Sequence, residues 1–187
     1  MLRESIEGAY IVRRGDYRYF VHPVTDGVPE LEPALLREII DRVKRIADLN
    51  VDKIVAIESM GIQIGTALSL DTNIPMVIVR KKSYGLPGEI EISQQTGYSK
   101  GALYLNGIRH GDRVIVVDDV ISTGGTLLAT LKALKIAGAG AVKAVCVIER
   151  GDGAMRLRGA GYDVKTIIKV EINDRVKVIS SYKDNCK

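Results

Sequence analysis

Val114-Ile115-Val116-Val117-Asp118-Asp119-Val120-Ile121-Ser122-Thr123-Gly124-Gly125-Thr126 is the stretch on which the fold turns. Val114 to Val117 are four successive β-branched residues with no polar alternation. A strand exposed on one face would alternate, so this run reads as a strand covered on both faces, at the centre of a parallel sheet. Two carboxylates, Asp118 and Asp119, follow at its carboxyl end. Ser122 to Thr126 then offers hydroxyl donors and two glycines that tolerate positive φ, and it runs into a helical pattern from Leu127 to Ala137 that stops at Gly138. Backbone N–H groups at such a helix start can wrap a phosphate. An acidic cap beside an ordinary glycine turn would need neither adjacent acids nor a run of hydroxyls and glycines.

Two common nucleotide loops are excluded here. No Lys occurs between Val114 and Thr126, so the loop lacks the Gly-Lys-Ser/Thr ending of a P-loop, and it lacks the Gly-x-Gly-x-x-Gly of a dinucleotide fold.

Outward from this centre the chain alternates. Glu32 to Leu49 carries Leu35, Leu36, Ile39, Ile40, Val43 and Ile46 at helical spacing, with Pro33 in its first turn. Lys53 to Ile57 reads as a strand, Gln63 to Leu70 as a helix, Met76 to Arg80 as a strand and Ala141 to Glu149 as another. This order predicts an α/β domain with a parallel sheet, whose right-handed crossovers bring the loops at 58, 80, 118 and 149 to one edge, where ligands bind. Ile6 to Pro29 has no strong period. Lys81 to Lys100 is polar and glycine-containing, long enough for a functional loop, and Ser180 to Lys187 reads as a frayed tail.

Composition narrows the class. With 187 residues and 46% hydrophobic content the chain suits one domain with a substantial core. Apolar runs are strand-sized and no secretory leader is visible, which predicts a cytoplasmic protein without a membrane span. Cys146 and Cys186 suggest no disulfide framework, and His22 and His110, each expected at the surface or in a loop, suggest no zinc site. A net charge of +4 suits anionic partners, but no nucleic-acid-binding signature accompanies it.

The strand, acidic pair and Thr-Gly-Gly-Thr loop together resemble the fingerprint of the phosphoribosyltransferases. By that resemblance Ser122, Thr123, Gly124, Gly125 and Thr126 would hold the 5′-phosphate of 5-phosphoribosyl-1-pyrophosphate. Asp118 and Asp119 would be the catalytic pair, facing the ribose hydroxyls and the associated Mg2+, directly or through water; a carboxylate suits both a diol and a hard cation. The loop Glu58-Ser59-Met60-Gly61 is similar to the pyrophosphate loop of purine phosphoribosyltransferases, which often contains a strained peptide. Arg80-Lys81-Lys82, followed by Leu86-Pro87-Gly88-Glu89, resembles the segment of adenine enzymes that reaches pyrophosphate, sometimes across a dimer interface. Which of the three cations points inward stays open.

Ser93 to Gly101 departs from the adenine enzymes and is closer to the lid of xanthine and archaeal hypoxanthine/guanine enzymes. Nearly the whole chain, from Ile11 to Ile179, is similar to the latter. The resemblance implies a type I phosphoribosyltransferase fold, a central mostly parallel sheet flanked by helices, with a hood over residues 6 to 30 and a lid over 81 to 101. It implies purine salvage to IMP or GMP with release of pyrophosphate, in a homodimer. Arg150, donating to O6 of the base, and Asp26, in the hood, would contact the purine. An adenine or xanthine enzyme, or a non-catalytic regulator of the same fold, is the alternative; the residues before Ile11 are too few for the DNA-binding domain that such regulators carry.

Overall fold

The computed structural model describes residues 1–15, 17–95 and 100–182. In chain order its elements are α1 (Leu2–Glu7), β1 (Tyr10–Arg14), β2 (Tyr17–Val21), α2 (Pro23–Asp26), α3 (Pro33–Ile46), β3 (Lys53–Ile57), α4 (Gly61–Thr72) and β4 (Met76–Val79). There follow β5 (Ile90–Gln95), β6 (Lys100–Leu105), β7 (Arg113–Ile121), α5 (Gly125–Ile136), β8 (Ala141–Arg150), α6 (Gly153–Gly159), β9 (Asp163–Ile172) and β10 (Val176–Ser181).

Six strands form one sheet in the order β10-β9-β8-β7-β3-β4, parallel throughout except for the antiparallel edge strand β10. As the unbroken run of β-branched residues requires, Val114 to Val117 are all 0% exposed. Successive residues supply two different cores. Ile54, Ala56, Ile115, Val117, Val145 and Val147 face α1, α3 and α4, while Val55, Ile57, Val114, Val116, Ala144 and Cys146 face α5 and α6. Strand period two therefore feeds both layers from one sheet.

Several boundaries differ from those read in the sequence, each for a local reason. β7 runs to Ile121 rather than Val117, because β8 continues beside it and extends the ladder past the acids. α3 ends at Ile46, after which Asp48 accepts the Asn50 N–H at 3.0 Å and replaces a helical bond with a side-chain turn. From Ile90 the segment expected as a lid enters the antiparallel hairpin β5–β6, whose Ile92, Leu103 and Leu105 are buried in the second core. The alternation Ile90-Glu91-Ile92 and Leu103-Tyr104-Leu105 was its signal. The lid positions 96–99 and the tail positions 183–187, Cys186 among them, lie outside the described residues. Ser180 and Ser181, expected to fray, pair with Lys169 and Ile168 of β9.

The hood begins with the antiparallel hairpin β1–β2 and ends in the one-turn helix α2. His22, in the connection between β2 and α2, caps α2 as a loop residue but is only 1% exposed, so of the surface or loop position expected for it the loop holds and the surface does not. Its Nδ1 accepts the Val24 N–H at 3.2 Å, so the ring proton sits on Nε2, 3.1 Å from the Ser5 hydroxyl. Burial pushes the imidazole down to about 4 from 6.5. Between those values the unfolded chain binds the extra proton and the folded one does not, so stability contributed by neutral His22 falls as pH drops from 6.5 towards 4. The expected loss is up to about 3 kcal/mol across that window. Urea unfolding at pH 4.5 and pH 7 should show a steeper acid loss for the native chain than for His22→Asn, which keeps a side-chain acceptor for the cap. Equal losses in the two proteins would contradict the assignment.

Candidate active site

The sheet order reverses between β3 and β7. From β3 the chain crosses through α4 outward to β4, whereas from β7 it proceeds through α5 to β8 and through α6 to β9 on the other side. Crevices form at such a switch point, beyond the carboxyl ends of the strands. Strand lengths deepen this one. The β3 ladder on β7 ends at Ala56 opposite Val117, while Asp118 to Ile121 continue beside β8 alone. The acidic pair is thus held in regular strand geometry with no ladder partner on its β3 side.

Asp118 accepts the Asp119 N–H at 3.0 Å, and Asp119 is 8% exposed. Burial raises the pKa of both carboxyls, Asp119 to about 6 and Asp118 well above its ordinary range, where the neighbouring Asp119 charge adds to the effect. Two carboxylates in this position are stabilised in ionised form by a cation or by ligand hydroxyls. Gly61, the first residue of α4, brings the facing loop onto them: a Cβ there would lie 2.9 Å from the Val117 carbonyl and 3.0 Å from Asp118 Oδ1. Only glycine lets the loop approach β7 this closely.

After Ile121, Ser122, Thr123 and Gly124 make the turn into α5, with Gly124 at φ +79 as its N-cap. A cavity of about 190 Å³ opens there, lined by Asp118 and by residues 120–127. Across the crevice the Glu58–Ser59 peptide is cis. The loop it begins is tied to the end of β4: Glu58 Oε2 accepts the Lys81 N–H at 2.9 Å and ion-pairs with Arg80 Nε at 3.0 Å, and Lys81 Nζ donates to Ser59 Oγ at 3.2 Å. Arg80 and Lys81 thus converge on the 58–61 loop. Lys82 instead sits 5.9 Å above the ring of Tyr84.

On the hood side, Arg150 Nη2 donates to the Arg18 carbonyl of β2 at 2.8 Å, joining the end of β8 to the hood. Glu149 is held by Arg158 at 2.8 Å and Lys169 at 3.0 Å, and Asp152 by Arg156 at 3.2 Å. Asp26 is engaged within the hood, accepting from the Tyr19 hydroxyl, from Thr25 Oγ1 at 2.6 Å and from the His22 N–H at 3.0 Å. Tyr19 was not singled out in the sequence. Burial and Asp26 raise its phenol pKa, and Asp119 lies near enough to add to that shift. The Gly151-Asp152-Gly153 turn behind the 122–126 loop was missed too, although two glycines directly after a strand are a signal of close backbone approach.

The family profile described as "Phosphoribosyl transferase domain" matches residues 30–182. Hypoxanthine/guanine phosphoribosyltransferases of Methanothrix thermoacetophila and Ferroglobus placidus are each 62% identical to this chain, over 94% and 95% of it and 92% and 96% of their own lengths. That of Methanocella paludicola is 54% identical over 100% of the chain and 98% of its own. Among solved structures, the adenine phosphoribosyltransferase of Rhodothermus marinus matches with a TM-score of 0.69 at 29% identity, covering 89% of this chain and 97% of that one. The adenine phosphoribosyltransferase of Thermoanaerobacter pseudethanolicus matches with a TM-score of 0.70 at 25% identity, covering 90% and 99%. Architecture, sequence and site geometry agree, and the chain belongs to the phosphoribosyltransferase family.

Proposed function

We propose that this protein salvages 6-oxopurines, transferring the 5-phosphoribosyl group from 5-phosphoribosyl-1-pyrophosphate to hypoxanthine or guanine to give IMP or GMP and pyrophosphate. The observation that carries this reading is the crevice at the switch point. It sets an acidic pair and a glycine-hydroxyl loop on β7 against a loop tied to two cations. The names of the relatives at 54 to 62% identity supply the base class.

In this reading Ser122 to Thr126 hold the 5′-phosphate, and Asp118 and Asp119 take the ribose diol. Glu58 to Gly61 with Arg80 and Lys81 receive the pyrophosphate, and Lys82 stands at the rim. A purine nitrogen attacks the anomeric carbon as the bond to pyrophosphate breaks, so charge builds on the leaving oxygen and the ribose ring. No covalent nucleophile is needed. Catalysis comes from alignment and from oriented charges and N–H donors. Arg150, with donors only, suits O6 of the base, while Asp26 orders the Tyr19 side of the hood over it.

Magnesium fits this donor set. Among the described residues no group of three or more His, Cys, Asp or Glu side chains forms a closed metal cage. Mg2+ instead keeps waters and takes one or two carboxylates together with substrate oxygens, which Asp118 and Asp119 supply. When bound it would neutralise charge on the pyrophosphate and ribose oxygens. We read residues 1–187 as one catalytic domain working in the cytoplasm. We place the Arg80 to Glu89 segment at the boundary of a homodimer; Tyr84 and Leu86 on it are exposed apolar side chains.

Asp118→Asn combined with Asp119→Asn should fold, since neutral isosteres relieve the burial of charge, yet lose nearly all turnover of 5-phosphoribosyl-1-pyrophosphate. Near-native kcat/KM in the double variant at low magnesium would remove the pair from the mechanism. Base choice is measured by kcat/KM for hypoxanthine, guanine, xanthine and adenine, with Arg150→Gln alongside. A donor facing the adenine amine leaves buried groups unpaired at a cost of roughly 1 to 3 kcal/mol, so 6-oxopurines should lead by tenfold or more, and the variant should narrow the gap. Adenine as the best substrate would overturn the specificity, and no turnover of any base would favour a binding protein of the same fold. For assembly, light scattering at assay concentration should give twice the mass of the chain; an active monomer would count against the proposed boundary.

A further inference from the structure

We infer that Gly153 and Arg156, on the segment after β8, are positioning residues for the phosphate loop, acting by pinning its carbonyls from behind. This inference rests on the assignment of residues 122–126 to the 5′-phosphate. Three successive carbonyls of that loop are tied down. Ser122 O accepts the Gly153 N–H at 2.9 Å, Thr123 O accepts Arg156 Nη2 at 2.9 Å, and Gly124 O accepts the Leu128 N–H at 2.9 Å as α5 begins.

A planar trans peptide points its C=O and the following N–H in opposite directions. These three peptides are trans. Fixing the carbonyls of Ser122, Thr123 and Gly124 on one side therefore aims the N–H groups of Thr123, Gly124 and Gly125 to the other, as a set of phosphate donors. Only the third tie belongs to α5. The first two come from the chain that follows β8.

Contact at Gly153 is closer than any other residue would allow. A Cβ there would lie 2.3 Å from the Ser122 carbonyl oxygen, 2.5 Å from the Thr123 carbonyl carbon and 2.6 Å from the Gly124 nitrogen. All three are backbone atoms, which no rotamer change can move aside. Arg156 is held over Thr123 by its ion pair with Asp152 at 3.2 Å. The same turn begins one residue after Arg150, so the base side and the phosphate side of the crevice share one rigid connection.

The test is steady-state kinetics on Gly153→Ala, Arg156→Ala and Arg156→Lys, with Gly159→Ala as control, since a Cβ at Gly159 meets nothing within 4 Å. Gly153→Ala should raise KM for 5-phosphoribosyl-1-pyrophosphate by about tenfold or more, and Arg156→Ala by roughly threefold to tenfold, as loss of one charged hydrogen bond to a partly exposed carbonyl implies. Arg156→Lys should recover part of the loss. KM for hypoxanthine should stay within twofold in every variant, and Gly159→Ala should match the native enzyme. A change confined to kcat, with both KM values native, would mean that these residues only support folding and would overturn the inference, as would a native KM in both Gly153→Ala and Arg156→Ala. Should Gly153→Ala fail to fold, the Arg156 pair decides alone. Failure of the underlying reading is separable: the native protein would then neither bind 5-phosphoribosyl-1-pyrophosphate in calorimetry nor turn it over.

Discussion

Everything at the site depends on the unequal length of two parallel neighbours. β3 ends at Ile57 and β7 continues to Ile121, held by β8 alone beyond Val117. Had the two strands ended together, Asp118 and Asp119 would sit on a loose turn. Had β3 continued, they would be covered on both edges. Ladder hydrogen bonds on one side and an open crevice on the other give the carboxylates fixed directions and access to ligand at once. The price is burial of negative charge, visible in the raised pKa of both acids, and a ligand that brings hydroxyls or a cation relieves it.

The remaining polar groups are arranged around that centre by mutual restraint rather than by placement on one element. Glu58 holds the Lys81 backbone and the Arg80 side chain, so the loops after β3 and β4 act as one body. Arg150 holds the hood through the Arg18 carbonyl, and Asp26 gathers Tyr19, Thr25 and the start of α2. Glu149 points to the opposite face of β8, where Arg158, Lys169 and Thr166 satisfy it. Adjacent residues of one strand thus serve the crevice and the far layer, a direct result of strand alternation.

Much of this was legible in order along the chain. The unbroken β-branched run at 114–117 announced a doubly covered sheet, and the 3.6 period from Leu35 to Ile46 announced α3, because burial on both faces or on one stripe leaves its period in the sequence. The acidic pair and the loop at 122–126 were legible because their chemistry is compressed into nine neighbouring residues. β5 was read as part of a loop because its apolar residues are few and its polar ones many. The burial of His22 was not legible because nothing near it in sequence reveals that α1 and Ser5 close over it.

The sequence by itself determined the layer architecture, the glycine and hydroxyl loop at 122–126, the acidic pair and the family. Those are properties of short contiguous segments, whose residue types alone dictate backbone period and chemistry. Tertiary structure decided which cations meet the 58–61 loop, that Asp26 is spent on Tyr19, and that Gly153 lies against the Ser122 carbonyl. Each of those is a contact between segments about 7 to 31 residues apart in sequence. Their pairing is set by where strands end and how layers pack, and no local pattern records it.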